Sequence, residues 1–240
     1  MYKAIALIPA RSGSKRVKNK NILEIKGKPL LAYTISAALK SKVFERVICV
    51  TDSKKYAKVA KYYGAEVPFL RPKKYSGDKS PDIEWVMWIM KKIKGINKYD
   101  IFSILRPTNP LRKDKTIKKA FNLFVKKKNF DSLRAVNKCK QHPAKMWYLK
   151  KNRLLPLLKN NYNKKVPLHS QQYANLPEVY AQNASLEFAW SKILKKKNPT
   201  ISGNKILGFI SKGFEGFDIN NEEDIYLLKY LLRNKLVKIH

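Results

Sequence analysis

Uninterrupted apolar runs alternate along this chain with stretches in which apolar residues recur every three or four positions. Residues 4–9 form the first run; closed by Pro9, it reads as a fully buried strand. The polar, glycine-containing stretch that follows cannot continue it. Pro29 then suits the first turn of a helix bearing Leu30, Leu31, Tyr33, Thr34, Ala37 and Ala38. Residues 46–51 form a second buried strand, Asp52 and Ser53 cap a helix over 54–63, Gly64 ends it, and 66–70 returns as a third strand.

The alternation continues. A helix starting near Pro81 and Asp82 turns Ile83, Val86, Met87, Met90 and Ile93 to one face, with Trp85 and Trp88 read as helix packing. A strand over 100–105, a helix over 115–127, a strand over 131–137 and a last helix through Leu232 complete the pattern. Strands and helices in this rhythm predict right-handed βαβ units and an α/β, doubly wound, mostly parallel sheet. Between 138 and about 178 the pattern loosens into short apolar pieces among Lys and Asn clusters. The expected organisation is one domain over 1–240 with 138–178 as an excursion.

At 240 residues the chain can bury a sizeable core. It has no 18-residue apolar run and no charged segment leading into a cleavable apolar one, so the expectation is a cytoplasmic protein without a membrane partner. Two cysteines, Cys49 and Cys139, argue against a disulfide framework. A formal net charge of +35 would suggest a nucleic-acid partner, but the excess is mostly Lys spread along helical stretches, with few Arg for bidentate readout. No nucleic-acid partner is expected. The charge still favours the arrival of anionic substrates.

The candidate chemistry lies where the first strand ends. Arg11, Ser12, Gly13, Ser14, Lys15, Arg16, Lys18 and Lys20 fall within ten positions, at the end of a strand where open α/β sheets bind ligands. Gly13 allows close backbone approach to phosphate oxygens, turn amides and hydroxyls donate, and the cations offset charge. The order matches neither the Walker A loop nor G-x-G-x-x-G, which disfavours a P-loop NTPase or a dehydrogenase.

The stretch I-P-A-R-S-G-S-K-R-x-K-N-K-N, followed by G-K-P-L-L-A-Y-T-I over 27–35, resembles the N-terminal signature of the CMP-sialic acid synthetases, the acylneuraminate cytidylyltransferases. The resemblance continues through V-T-D-S over 50–53, R-P-T-N-P-L-R over 106–112, Q-N-A-S over 182–185 and F-D-I-N over 217–220. It implies a nucleotide-diphospho-sugar transferase-like, Rossmann-like fold and transfer of CMP from CTP to an acidic, sialic acid-like nonulosonic sugar, with pyrophosphate released. Arg11, Lys15, Lys20 and Asp218 are the expected catalytic residues. Arg11, Ser12, Gly13, Ser14, Lys15, Lys20, Asn21, Ser80 and Arg106 are the expected nucleotide contacts. The family's D-I-D pair holds Mg²⁺, which points to Asp218 and Asn220 as ligands of Mg²⁺ or Mn²⁺, with a neutral amide in place of one carboxylate. The excursion over 138–178 resembles the family's dimerisation segment and implies a homodimer.

Three departures bear on specificity. Arg106 stands where the family has Gln; an arginine only donates, and its pairing with guanine O6 and N7 leaves GTP open beside CTP. The family's R-P-N-G-A-I-Y reads here with Asn183 kept, Ala181 in place of the arginine that grips the sugar carboxylate, and Ala184 in place of the glycine. Gln171, Gln172, Gln182 and Asn183 are therefore the expected sugar contacts, and a sugar without the carboxylate stays open. So do a basic nucleic-acid-binding protein and a nucleotide-binding protein with a decayed metal site.

Overall fold

The computed structural model describes residues 2–158 and 166–239. Part of the excursion, residues 159–165, lies outside the described residues. The chain runs β1 (Ala4–Pro9), a small hairpin of β2 (Glu24–Ile25) and β3 (Lys28–Pro29), α1 (Leu30–Ser41), β4 (Arg46–Val50), α2 (Lys54–Tyr62), α3 (Asp82–Lys92) and the short α4 (Gly95–Lys98). It continues through β5 (Ile101–Ile104), α5 (Asp114–Lys126), β6 (Ser132–Lys138), a hairpin of β7 (Trp147–Lys150) and β8 (Arg153–Pro156), β9 (Tyr180–Trp190), β10 (Ile206–Ile210) and α6 (Glu222–Arg233).

Six strands form one sheet in the order β10-β6-β9-β5-β1-β4. β1 pairs in parallel with β4 and β5, and β10 with β6, while β9 runs antiparallel between β5 and β6. The sheet is thus mostly parallel, with helices on both faces. Period-two alternation sends Ala4, Ala6 and Ile8 of β1 toward α1, α2 and α5, and Ile5 and Leu7 toward α3. Strands buried on both faces read as continuous apolar runs, which is why the sequence pattern exposed them.

The expected third strand over 66–70 reduces to a single parallel bridge between Ile48 and Glu66. Pro68, two residues on, has no N–H to give, so a ladder cannot continue through it. Pro29 precedes α1 as its N-cap instead of entering its first turn. Ser53 caps α2, its hydroxyl accepting from the Tyr56 amide, and Asn221 and Asp224 form a capping box on α6. Trp85 is fully buried in the α3 face of the core. Among the described residues no helix is long and apolar enough to cross a membrane. Cys49 is buried and Cys139 half-buried, both as free thiols.

Candidate active site

The ends of β1, β4 and β5 meet at the start of the basic loop. The Ala10 amide donates to the Val50 carbonyl at 3.0 Å and the Leu105 amide to the Leu7 carbonyl at 3.0 Å. The loop is then fastened from below: Asp52 accepts the Ser12 amide at 2.8 Å and the Ser12 hydroxyl at 3.0 Å. Both of the donors expected of Ser12 are thus committed to a carboxylate, and Ser12 anchors the loop instead of facing a ligand. Asn21 is buried, and its amide nitrogen donates to the Arg11 carbonyl at 3.0 Å. Gly13 has a negative φ, and no atom lies within 4 Å of where a Cβ would stand, so its outer face is open.

A cavity of about 250 Å³ opens beside this loop. Its walls include Arg11, Ser14, Lys20 and Asn21 from the loop, Gly77, Asp78, Ser80 and Asp82 from the approach to α3, and Arg106, Pro107 and Thr108 after β5. Six of the nine expected nucleotide contacts therefore come together: Arg11, Ser14, Lys20, Asn21, Ser80 and Arg106. Ser12 and Gly13 do not border the cavity. Lys15 is a rim residue, its side chain 83% exposed and paired with Asp78 at 2.7 Å.

Lys20 joins this wall to the far end of the chain. Its Nζ donates to the Ile219 carbonyl at 2.7 Å, and Arg16 Nη2 donates to Asn220 Oδ1 at 3.2 Å. Burial pushes the Lys20 pKa below the ordinary lysine value, against the opposing pull of Asp218. Asp218 accepts from Asn220 Nδ2 at 2.9 Å through Oδ2, while its Oδ1 is buried without a hydrogen-bond partner among the described residues. Asn220, expected to offer its carbonyl oxygen to a metal, has that oxygen engaged by Arg16. No group of three or more His, Cys, Asp or Glu side chains able to hold a metal occurs among the described residues.

Arg106 is held by two carboxylates, its Nη2 pairing with Asp82 Oδ2 and with Glu187 Oε1, the latter at 3.3 Å. Asp82 also accepts from Trp85 Nε1 at 2.7 Å, and Arg134 reaches the other Glu187 oxygen at 3.2 Å. Burial pushes Glu187 above its usual range; Asp82 is half-buried, which would raise it as well, yet the charge of Arg106 holds it below its own. Arg71 lines the same cavity and stacks over Trp85, 5.3 Å from the ring centroid. Its Nε is buried without a partner, and burial lowers its pKa to about 10. Arg71, Asp78 and Asp82 were not among the residues the sequence pointed to. A polar R-P-K-K run and a helix start carry no signal that distinguishes them from solvated positions.

Behind the cavity, Arg112 is buried without a carboxylate, and this lowers its pKa to about 9. It donates to the carbonyls of Ser185 and Arg106 and to the Thr34 hydroxyl, so it locks the loop after β5 to β9 and α1.

The residues expected on the sugar side divide. Gln182 is exposed on β9 opposite Val136, beyond the end of β5. Asn183 is buried; its Nδ2 donates to Asn137 at 2.9 Å and to the Ser211 hydroxyl at 2.8 Å, and its Oδ1 accepts the Ser185 amide at 3.0 Å. Those bonds make it a strut for β9 instead of a free contact. Gly216 lies so close to it that a Cβ there would stand 2.5 Å from the Asn183 amide. Gln171 and Gln172 do not border the cavity: they belong to turns in the excursion, where the Gln171 carbonyl accepts from Lys145 at 2.6 Å. Ala184 has φ +54°, a left-handed conformation beside the irregularity where β6 and β9 change register. Glycine adopts that conformation freely, which accounts for the glycine of the resembled pattern.

Comparison with known proteins bears on this arrangement. A family model described as Cytidylyltransferase matches residues 5–187. Over 122 residues the chain is 46% identical to the N-acylneuraminate cytidylyltransferase of Escherichia coli O18:K1:H7, a match covering 51% of this chain and 28% of that protein. Over 204 residues it is 32% identical to a Helicobacter pylori protein described as pseudaminic acid cytidylyltransferase and UDP-2,4-diacetamido-2,4,6-trideoxy-beta-L-altropyranose hydrolase, covering 85% of this chain and 38% of that one. The chain thus spans well under half the length of these two relatives. Its fold is similar to that of CMP:2-keto-3-deoxy-manno-octonic acid synthetase complexed with CTP, with a TM-score of 0.67 at 15% identity, covering 97% of this chain and 99% of that one.

Proposed function

The chain belongs to the cytidylyltransferase family, and from that premise we propose that it transfers CMP from CTP to a nonulosonic acid of the sialic or pseudaminic acid class. The observation that carries this reading is the single cavity gathering Arg11, Ser14, Lys20, Asn21 and Arg106 at the ends of β1 and β5. In the reaction a sugar hydroxyl forms a bond to the α-phosphorus, the bond from that phosphorus to the β-phosphate oxygen breaks, and pyrophosphate leaves. The demand on the protein is to align the attack and to hold the charge that builds on the departing phosphates.

Arg11 and Lys20 meet that demand from fixed positions, with Lys15 reaching in from the rim. Fixed cations in a partly desolvated cleft stabilise developing charge without reorganising. Arg106 borders the same cavity and offers only donors, which suits the adjacent acceptors O2 and N3 of cytosine; uracil has an N–H at the second position. The orphaned Asp218 Oδ1 beside Lys20 fits a divalent cation such as Mg²⁺ that takes most of its ligands from phosphate and water. Asp218, with Asn220 behind it, would hold that ion, and the ion supplies further neutralisation of phosphate charge when bound.

A homodimer completes the proposal. Every residue of β7 and β8 except Leu155 is exposed, including Trp147, Tyr148, Leu149 and Leu154. An isolated two-stranded hairpin is marginal in water, and exposed apolar groups of this size on one ribbon call for a covering surface. Two free thiols fit a reducing compartment such as the cytoplasm.

Pyrophosphate release measured across a matrix of nucleoside triphosphates and acidic sugars tests the reading. Release is expected with CTP and a nonulosonic acid. Silence with CTP across the panel, or release with GTP alone, removes it.

A further inference from the structure

We propose that Asp78 is a resident counter-ion of the phosphate cradle: it occupies Arg11 and Lys15 when no ligand is bound, and a polyphosphate must displace it. The inference rests on the reading of that loop as the triphosphate site. Asp78 places one carboxylate oxygen on each cation, Oδ1 at 2.7 Å from Arg11 Nη1 and Oδ2 at 2.7 Å from Lys15 Nζ. A phosphate bridging the same two side chains would use its oxygens in the same way. Arg11 Nη1 also donates to the Ser76 carbonyl at 3.3 Å, which ties the segment carrying Asp78 to the same guanidinium. Gly77, Asp78 and Ser80 then form part of the cavity wall.

Both ends of this segment are secured, and the Ser80 amide donates to the Gly77 carbonyl at 3.3 Å across Asp78, so the backbone turn stands without the Asp78 side chain. The Arg71 amide donates to the Thr51 carbonyl at 2.8 Å before it, and Asp82 is tied to Trp85 and Arg106 after it. Among the described residues the Asp78 side chain forms ion pairs with these two cations and no other side-chain hydrogen bond or ion pair. Its side chain is 36% exposed, and ion pairs of that exposure are weak enough to exchange readily. A polyphosphate carries enough charge to take both cations at once. A single inorganic phosphate has less to gain and faces the same competitor, so Asp78 raises the threshold for adventitious anions. After transfer, its return to Arg11 and Lys15 competes with the departing pyrophosphate.

Isothermal titration of the full chain with inorganic pyrophosphate, without sugar or metal, tests this. Asp78→Asn is expected to tighten pyrophosphate binding by roughly three- to tenfold, the range set by two exposed ion pairs, and Asp78→Ala to shift it in the same direction. Arg11→Ala is expected to weaken it. If Arg11→Ala weakens binding while both Asp78 variants leave it unchanged or weaker, the counter-ion role is overturned and the triphosphate reading stands. If pyrophosphate binds the parent chain and Arg11→Ala equally, or neither, the cradle itself is misassigned and this inference goes with it.

Discussion

Lys20 Nζ donates to the carbonyl of Ile219, 199 positions further along the chain, at 2.7 Å. One hydrogen bond thereby joins the loop after the first strand to the segment that carries Asp218, with a half-buried cation between them. Burial holds the Lys20 pKa below 10.5, with the charge of Asp218 opposing. Turnover is therefore expected to fall on the alkaline side at a lower pH than an ordinary lysine would impose, and Lys20→Arg should move that limb upward. The effect on stability has the opposite sense. Between the folded and unfolded pKa values the unfolded chain binds more protons, so the contribution of this group rises with pH through that window, and the cost of burying the charge is present in full below it. A pH profile of kcat/KM for both forms checks the first claim, and urea melts across the same range check the second.

Asp218→Ala is expected to lower turnover by about two orders of magnitude, as loss of one preorganised electrostatic group does elsewhere. The fold should be little affected, because among the described residues the only hydrogen bond Asp218 accepts through its side chain is from Asn220. A near-normal rate with an unchanged melt would move the reacting centre away from this strand end.

Arg106→Gln would restore an amide at that position but leave Asp82 and the nearly buried Glu187, 4% exposed, facing one another without their cation. Removing one partner from a buried charge network costs about 3–5 kcal/mol. We expect a loss near the lower end, since Arg134 still reaches Glu187 at 3.2 Å. Adding Glu187→Gln should recover part of it, and chemical denaturation of the single and double variants reads the difference.

Ala184 adopts φ +54°, where a Cβ is strained by about 1–2 kcal/mol. Ala184→Gly is expected to stabilise by about 1 kcal/mol after the added freedom of the unfolded chain is subtracted, a rise in melting temperature of about 2–4 °C. A fall in melting temperature would show that the methyl group packs better than its backbone suggests.

Leu149 and Leu154 face each other across the β7–β8 ribbon and are 70% and 54% exposed. Replacing both with Glu should leave the main sheet intact and shift the protein from dimer to monomer in sedimentation velocity. A parent chain that already sediments as a monomer would remove the homodimer from the proposal.

The parallel part of the sheet was legible because β1, β4 and β5 are buried on both faces and read as unbroken apolar runs. The antiparallel course of β9 was not, since alternation reports which face a residue takes and says nothing of strand direction. β10, with its pattern of exposed and half-buried residues, and the exposed β7–β8 ribbon give too little apolar contrast to stand out. In the candidate site, the order of residues after Pro9 marked Arg11, Ser14, Lys20 and Asn21, and the strand end at Leu105 marked Arg106. The carboxylates that hold the loop and these cations were hidden: Asp52, which fastens Ser12, reads as a helix cap, Asp78 as one charge in a polar loop, Asp82 as a helix start. Their roles arise from partners 24 to 67 positions away, Asp82 with Arg106 at the short end and Asp78 with Arg11 at the long one.

The placement of β9 has a consequence for how the chain is made. It is the strand that bridges β5 and β6, and it is synthesised well after both. A nascent chain that has not yet reached residue 180 therefore carries β4, β1 and β5 with a raw edge at β5, and β6 as a lone strand because β10 is made later still, each able to pair with a stranger. Until the eleven residues of β9 emerge and fill the gap, like-charge repulsion from a net charge of +35 over the full chain opposes pairing of those edges with neighbouring chains.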